Sequence, residues 1–130
     1  MALVFRELHR AAKLELLNEE WMVLENTGTG ILNSAGWSVE VSRGKGRSHP
    51  LGQLKPGFVI HAGEKIRLVT GTASKKAQGT PPPEEGMKNY FLFLREPVLQ
   101  APGTVLHVKL NQHELARATF DPDAKSGIAD

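Results

Sequence analysis

Residues 18–37, NEEWMVLENTGTGILNSAGW, couple a strand-like run to a cluster of turn formers and then to a single large ring. That order confines the chain to short strands joined by tight connections. Met22 and Leu24 alternate with Trp21, Val23 and Glu25, so two faces separate although both carry apolar groups. Asn26 closes the run at the mouth of a turn, where its amide can bond the backbone of residues 27–30. Trp37, Val39 and Val41 then alternate with Ser38, Glu40 and Ser42, the cleanest half-buried strand in the sequence.

A chain of 130 residues holds one domain with a real core, and 40% hydrophobic with 23% charged residues is an ordinary globular balance. Thirteen glycines and eight prolines fall between short apolar runs, which favours strands and turns over a helical bundle. The chain has no cysteine, and this excludes a disulfide scaffold, a thiolate metal site and a cysteine nucleophile. Apolar residues at the N-terminus are broken by Arg6, Glu7, His9, Arg10 and Lys13, unlike a signal peptide. A retained N-terminus and a cytoplasmic location are therefore expected, with no membrane span.

Along the chain, Leu3, Val4, Leu8, Ala11 and Ala12 share one helical face, so residues 1–12 are expected to be a helical or extended lead-in. Residues 13–120 carry the strand pattern, opening with a strand over 13–17. Further strands are expected over 57–61, 64–70, 105–110 and 114–120, and the apolar run 90–94 suits a central strand buried on both faces. Residues 43–56 read as a long polar loop. Residues 71–89, with three consecutive prolines at 81–83, read as a flexible loop of polyproline character. Residues 121–130 read as a frayed tail. About seven or eight short strands at this spacing point to an all-β sandwich. Its expected core is Met22, Leu24, Trp37, Val39, Ile60, Ile66, Leu68, Phe91, Phe93 and Leu106.

Glu20, Trp21, Met22, Leu24, Asn26, Thr27 and Gly28, followed by Ala35, Gly36, Trp37 and Val39, resemble the opening of a lamin-tail domain. The resemblance continues through Phe58, Ile60, Ala62, Gly63, Ile66, Leu68, Thr70 and Gly71, and it covers about half the chain. It implies an immunoglobulin-like β-sandwich and a non-catalytic interaction module, one that binds protein partners or self-associates. No heptad pattern accompanies it, so a filament role is not expected.

Chemistry-bearing motifs are sparse. Gly28-Thr29-Gly30 lacks the lysine and helix pattern of a phosphate loop and reads as a turn. Ser42-Arg43-Gly44-Lys45 matches S-x-x-K, but at a strand end rather than on the helix that this motif needs. His107 and His113 lie in one expected hairpin without a convincing third ligand, so no metal and no cofactor are expected. Spacing alone assembles no serine, histidine and acid set, and no enzyme is expected. Two candidate surfaces remain. Trp21 and Val23 are the candidate protein-contact face. Arg43, Lys45, Arg47 and Lys55, on a loop rich in glycine and serine, offer an alternative, nonspecific contact to nucleic-acid phosphates.

Overall fold

A computed structural model describes residues 3–43, 49–54 and 57–129. The described residues form ten strands: β1 (Leu3–His9), β2 (Trp21–Asn26), β3 (Leu32–Asn33), β4 (Trp37–Ser42), β5 (His49–Gln53), β6 (Val59–Ile60), β7 (Lys65–Val69), β8 (Lys88–Phe91), β9 (Val105–Leu110) and β10 (His113–Thr119). One sheet runs β1-β2-β7-β8, a second runs β10-β9-β4-β5, and β3 pairs with β6 in a two-stranded ribbon. The two large sheets make an immunoglobulin-like all-β sandwich.

Alternation places the core. Met22, Leu24, Ile66 and Leu68 on the first sheet face Trp37, Val39, Val41, Leu106 and Val108 on the second, and all are buried. Asn26 is buried as well. Its Nδ2 donates to the Gly30 and Ile60 carbonyls at 2.8 and 3.0 Å, and its Oδ1 accepts the Gly28 N–H at 3.0 Å, the turn-closing role expected of it.

Several expectations change. Of the helical and extended alternatives for the lead-in, residues 3–9 take the extended one, as a full strand. A register shift between Phe5 and Glu7 sets Leu3, Phe5 and Leu8 inward, a spacing that imitates a helical stripe. Residues 13–17 form turns and no strand, and part of the supposed loop 43–56 is β5. The run at 90–94 lies at a sheet edge. Its strand stops at Phe91, which is half-buried, and Phe93 is 66% exposed rather than core.

The segment 71–89 is tethered. The amide of buried Asn18 donates to the carbonyls of Thr72 and Gly79 at 2.9 and 3.1 Å, and Asn89 Nδ2 donates to the Pro82 carbonyl at 2.7 Å. The tail folds back too. Leu8 N–H donates to the Ser126 carbonyl at 2.8 Å, and Phe120 bridges to Ile128. Gly127, at φ +79°, packs so tightly on the Leu8 carbonyl that a Cβ could not fit.

The carboxylate of Glu20, 1% exposed, binds three donors. Thr70 Oγ1 donates to its Oε1 at 2.6 Å, the Val98 N–H to Oε1 at 2.8 Å and the Leu99 N–H to Oε2 at 3.0 Å. It fastens the start of β2 to the end of β7 and to the connection that carries the chain from β8 across to β9. Val98 and Leu99 are thereby held in the core.

Two stability outcomes follow. Trp37→Ala should cost about 3–5 kcal/mol, since a ring 3% exposed leaves a cavity between the sheets; an unchanged denaturation midpoint would contradict the packing. Glu20→Gln keeps the shape but sets an NH2 against an N–H donor. It should cost about 1–3 kcal/mol and speed hydrogen exchange at Val98 and Leu99. Exchange accelerated evenly over both sheets would mean that Glu20 does not pin this connection.

Candidate functional site

The two seams of the sandwich differ. On one side β1 and β10 are the sheet edges, and the 121–129 segment folds back over β1 through Ser126 and Gly127. On the other side β5 and β8 are the edges, and between them lies a groove of about 270 Å³. Leu54, Phe58, Tyr90, Leu92 and Phe93 line it, with Gln53 at its rim. The Phe58 and Tyr90 rings stack with centroids 3.6 Å apart and planes 9° from parallel, giving one wall a continuous aromatic surface.

Phe93 sits in this groove with φ +56°, in the left-handed region that a bulky residue rarely adopts. The backbone is pinned there. The N–H groups of Leu92, Phe93 and Leu94 donate to the carbonyls of Val69, Gly71 and Thr70 at 2.8, 3.1 and 2.9 Å. The consequence is an aromatic ring directed outward beside the apolar groove. The sequence placed Phe93 in a buried strand because a continuous apolar run carries no sign of the residue at which the chain leaves the sheet.

Trp21 and Val23 do not form the open face expected of them. Trp21 is half-buried under His9, whose ring stacks on it at 3.8 Å and 2°. The Arg67 guanidinium lies 5.4 Å from the Trp21 ring, and Trp21 Nε1 donates to Glu7 at 3.2 Å. Val23 is 4% exposed although it points away from the core, beside a cleft that Arg6, Glu7 and Met87 also line. Long side chains of β1, β7 and the 71–89 segment thus roof this face.

Of the candidate phosphate contacts, Lys45, Arg47 and Lys55 lie outside the described residues. Arg43 is exposed and donates to the Val98 carbonyl at 3.4 Å.

The outer face of the second sheet carries a constellation that spacing did not reveal. Ser42 Oγ is 2.9 Å from His107 Nε2, and His107 Nδ1 is 2.5 Å from Glu114 Oε1. Beside it, Lys109 pairs with Glu40 at 3.3 Å. Both His107 ring nitrogens are engaged, and among the described residues no group of three or more metal-ligating side chains converges. Also among the described residues, no helix is long and apolar enough to cross a membrane.

Compared with models of known protein families and with curated proteins, the chain matches none.

The strain at Phe93 has a measurable signature. Phe93→Gly relieves the left-handed backbone and removes a side chain that is mostly in solvent, so stability should hold or rise by up to about 1 kcal/mol. A fall of more than about 1 kcal/mol in chemical denaturation would mean that the ring packs as part of the fold.

Proposed function

We propose that this chain is an interaction module of lamin-tail type that contacts protein through the β5/β8 seam. The observation that carries this reading is Phe93, a ring held outward at a left-handed backbone position and 66% exposed beside an aromatic groove. Backbone strain persists only where the surroundings impose it, and it clusters at sites that bind. A sheet edge next to apolar wells is the arrangement that accepts an extended segment, with main-chain bonds giving affinity and the wells giving selectivity. The β1/β10 seam also carries a groove, of about 460 Å³, which the chain's own tail borders through Ile128, so what favours the β5/β8 seam is the outward ring of Phe93. The lamin-tail resemblance supports the same reading, because it implies binding rather than turnover as the main role.

The test joins two measurements. Sedimentation velocity from about 5 to about 500 µM reads self-association, and selection of displayed peptides reads binding of foreign segments. Phe93→Ser should abolish whichever is seen while leaving the denaturation midpoint unchanged or higher. A protein that stays monomeric, and that enriches no peptide over the Phe93→Ser variant, would reject the reading.

A further inference from the structure

Ser42, His107 and Glu114 come from β4, β9 and β10, and one irregularity brings them together. Ala116 and Ala118 of β10 are buried, so strict alternation would turn Glu114 inward with them. The register instead shifts between Glu114 and Ala116. Leu115 packs against the core, and Glu114 reaches across to His107 on the outer face. On β4, Val39 and Val41 are buried, so Ser42 projects to that same outer face. Glu40 pairs with His107 and Ser42 with Val105, which puts Ser42 diagonally across from the imidazole.

The chemistry of the three groups fixes their roles. A carboxylate only accepts, so His107 carries its proton on Nδ1 and donates it to Glu114. In the neutral imidazole Nε2 is then an acceptor, placed 2.9 Å from Ser42 Oγ, whose O–H can donate to it. The His107 side chain is 12% exposed and that of Glu114 38%, so the imidazole is held in place while the outer face stays open to small molecules. Nucleophile, base and orienting acid stand in the order that activates a serine.

We propose that Ser42 is a nucleophile activated by His107 and oriented through Glu114, and that it takes acyl groups from small activated esters. Oγ attacks the ester carbonyl carbon as its proton passes to His107 Nε2. The bond from that carbon to the aryl oxygen breaks, and the departing phenolate takes the proton back from His107. Water, deprotonated by the same nitrogen, then cleaves the acyl-serine to a carboxylic acid and the free hydroxyl. An open sheet face encloses no substrate, so the leaving group must be a good one; aryl esters, and fluorophosphates as their phosphorus counterparts, are the class that fits. This inference does not rest on the β5/β8 groove, and it departs from the expectation that spacing alone gave.

The test treats the full chain with diisopropyl fluorophosphate, locates adducts by peptide mass mapping, and follows p-nitrophenyl acetate release. In the first reaction Oγ bonds to phosphorus, fluoride leaves, and His107 accepts the proton. One adduct is expected, on Ser42, with Ser38 and Ser74 as unlabelled references. Ser42→Ala deletes one oxygen, so its fold should be intact by denaturation midpoint while labelling is lost and ester turnover falls to background. His107→Gln should slow labelling of Ser42 about 100-fold or more, and Glu114→Gln should slow it by a smaller factor. Absence of a Ser42 adduct would overturn the proposal. So would labelling spread over several serines, or an unchanged rate in a folded His107→Gln protein.

Discussion

The buried carboxylate of Glu20 is the constraint on which the connectivity of this sandwich depends. Burying a charge is unfavourable unless hydrogen bonds replace the lost water, and here two backbone amides and a threonine hydroxyl supply them. All three partners are donors, a set that only a carboxylate or another pure acceptor satisfies. The geometry joins three places far apart in sequence: the entry to β2, the exit of β7 at Thr70, and the connection at Val98 and Leu99. A sandwich must send its chain from one sheet to the other, and such a crossing leaves backbone N–H groups without a ladder. Glu20 answers that need inside the core, and it lets Val98 and Leu99 serve as core residues although they belong to no strand.

Two bulges shape the outer faces in a comparable way. In β1 the register shift after Phe5 lets Leu8 face inward, and in β10 the shift after Glu114 turns that carboxylate outward. Each adds one residue to a strand and so exchanges the faces on either side of it. The first completes the core edge, and the second creates a polar contact that an ideal strand could not make.

What the sequence disclosed follows from this. The expected core residues Met22, Leu24, Trp37, Val39, Ile60, Ile66, Leu68 and Leu106 are all buried, because strict period-two alternation is a direct consequence of pleated geometry. Asn26 was legible for a similar reason, as its turn role is local. The N-terminal strand was legible only as one of two alternatives, since its bulge imitates helical spacing, and Phe93 was not legible, since its exposure depends on where the sheet ends. The link from Ser42 through His107 to Glu114 was hidden because it needs strand order, diagonal register and a bulge together. None of these is a property of a local window, although the serine, the histidine and the acid were each in view.

The tail and the 71–89 segment show why composition alone misjudges order. Both are rich in glycine, proline and charge, and neither holds enough apolar surface to fold alone. Each is ordered by polar contacts with groups that the sandwich already fixes: Asn18 for the loop, and the backbone of Leu8 for the tail. The entropy lost by the segment is offset by bonds whose other half is rigid beforehand, so a few well-placed acceptors and donors suffice. The same logic separates the two seams. Fastening the tail at the Leu8 end of β1 uses such prepaid partners, whereas the β5/β8 edge meets Phe93, a residue whose backbone the fold holds in a strained state and whose ring it leaves outside. An edge kept open at the expense of local strain is where the physical case for an external partner is strongest.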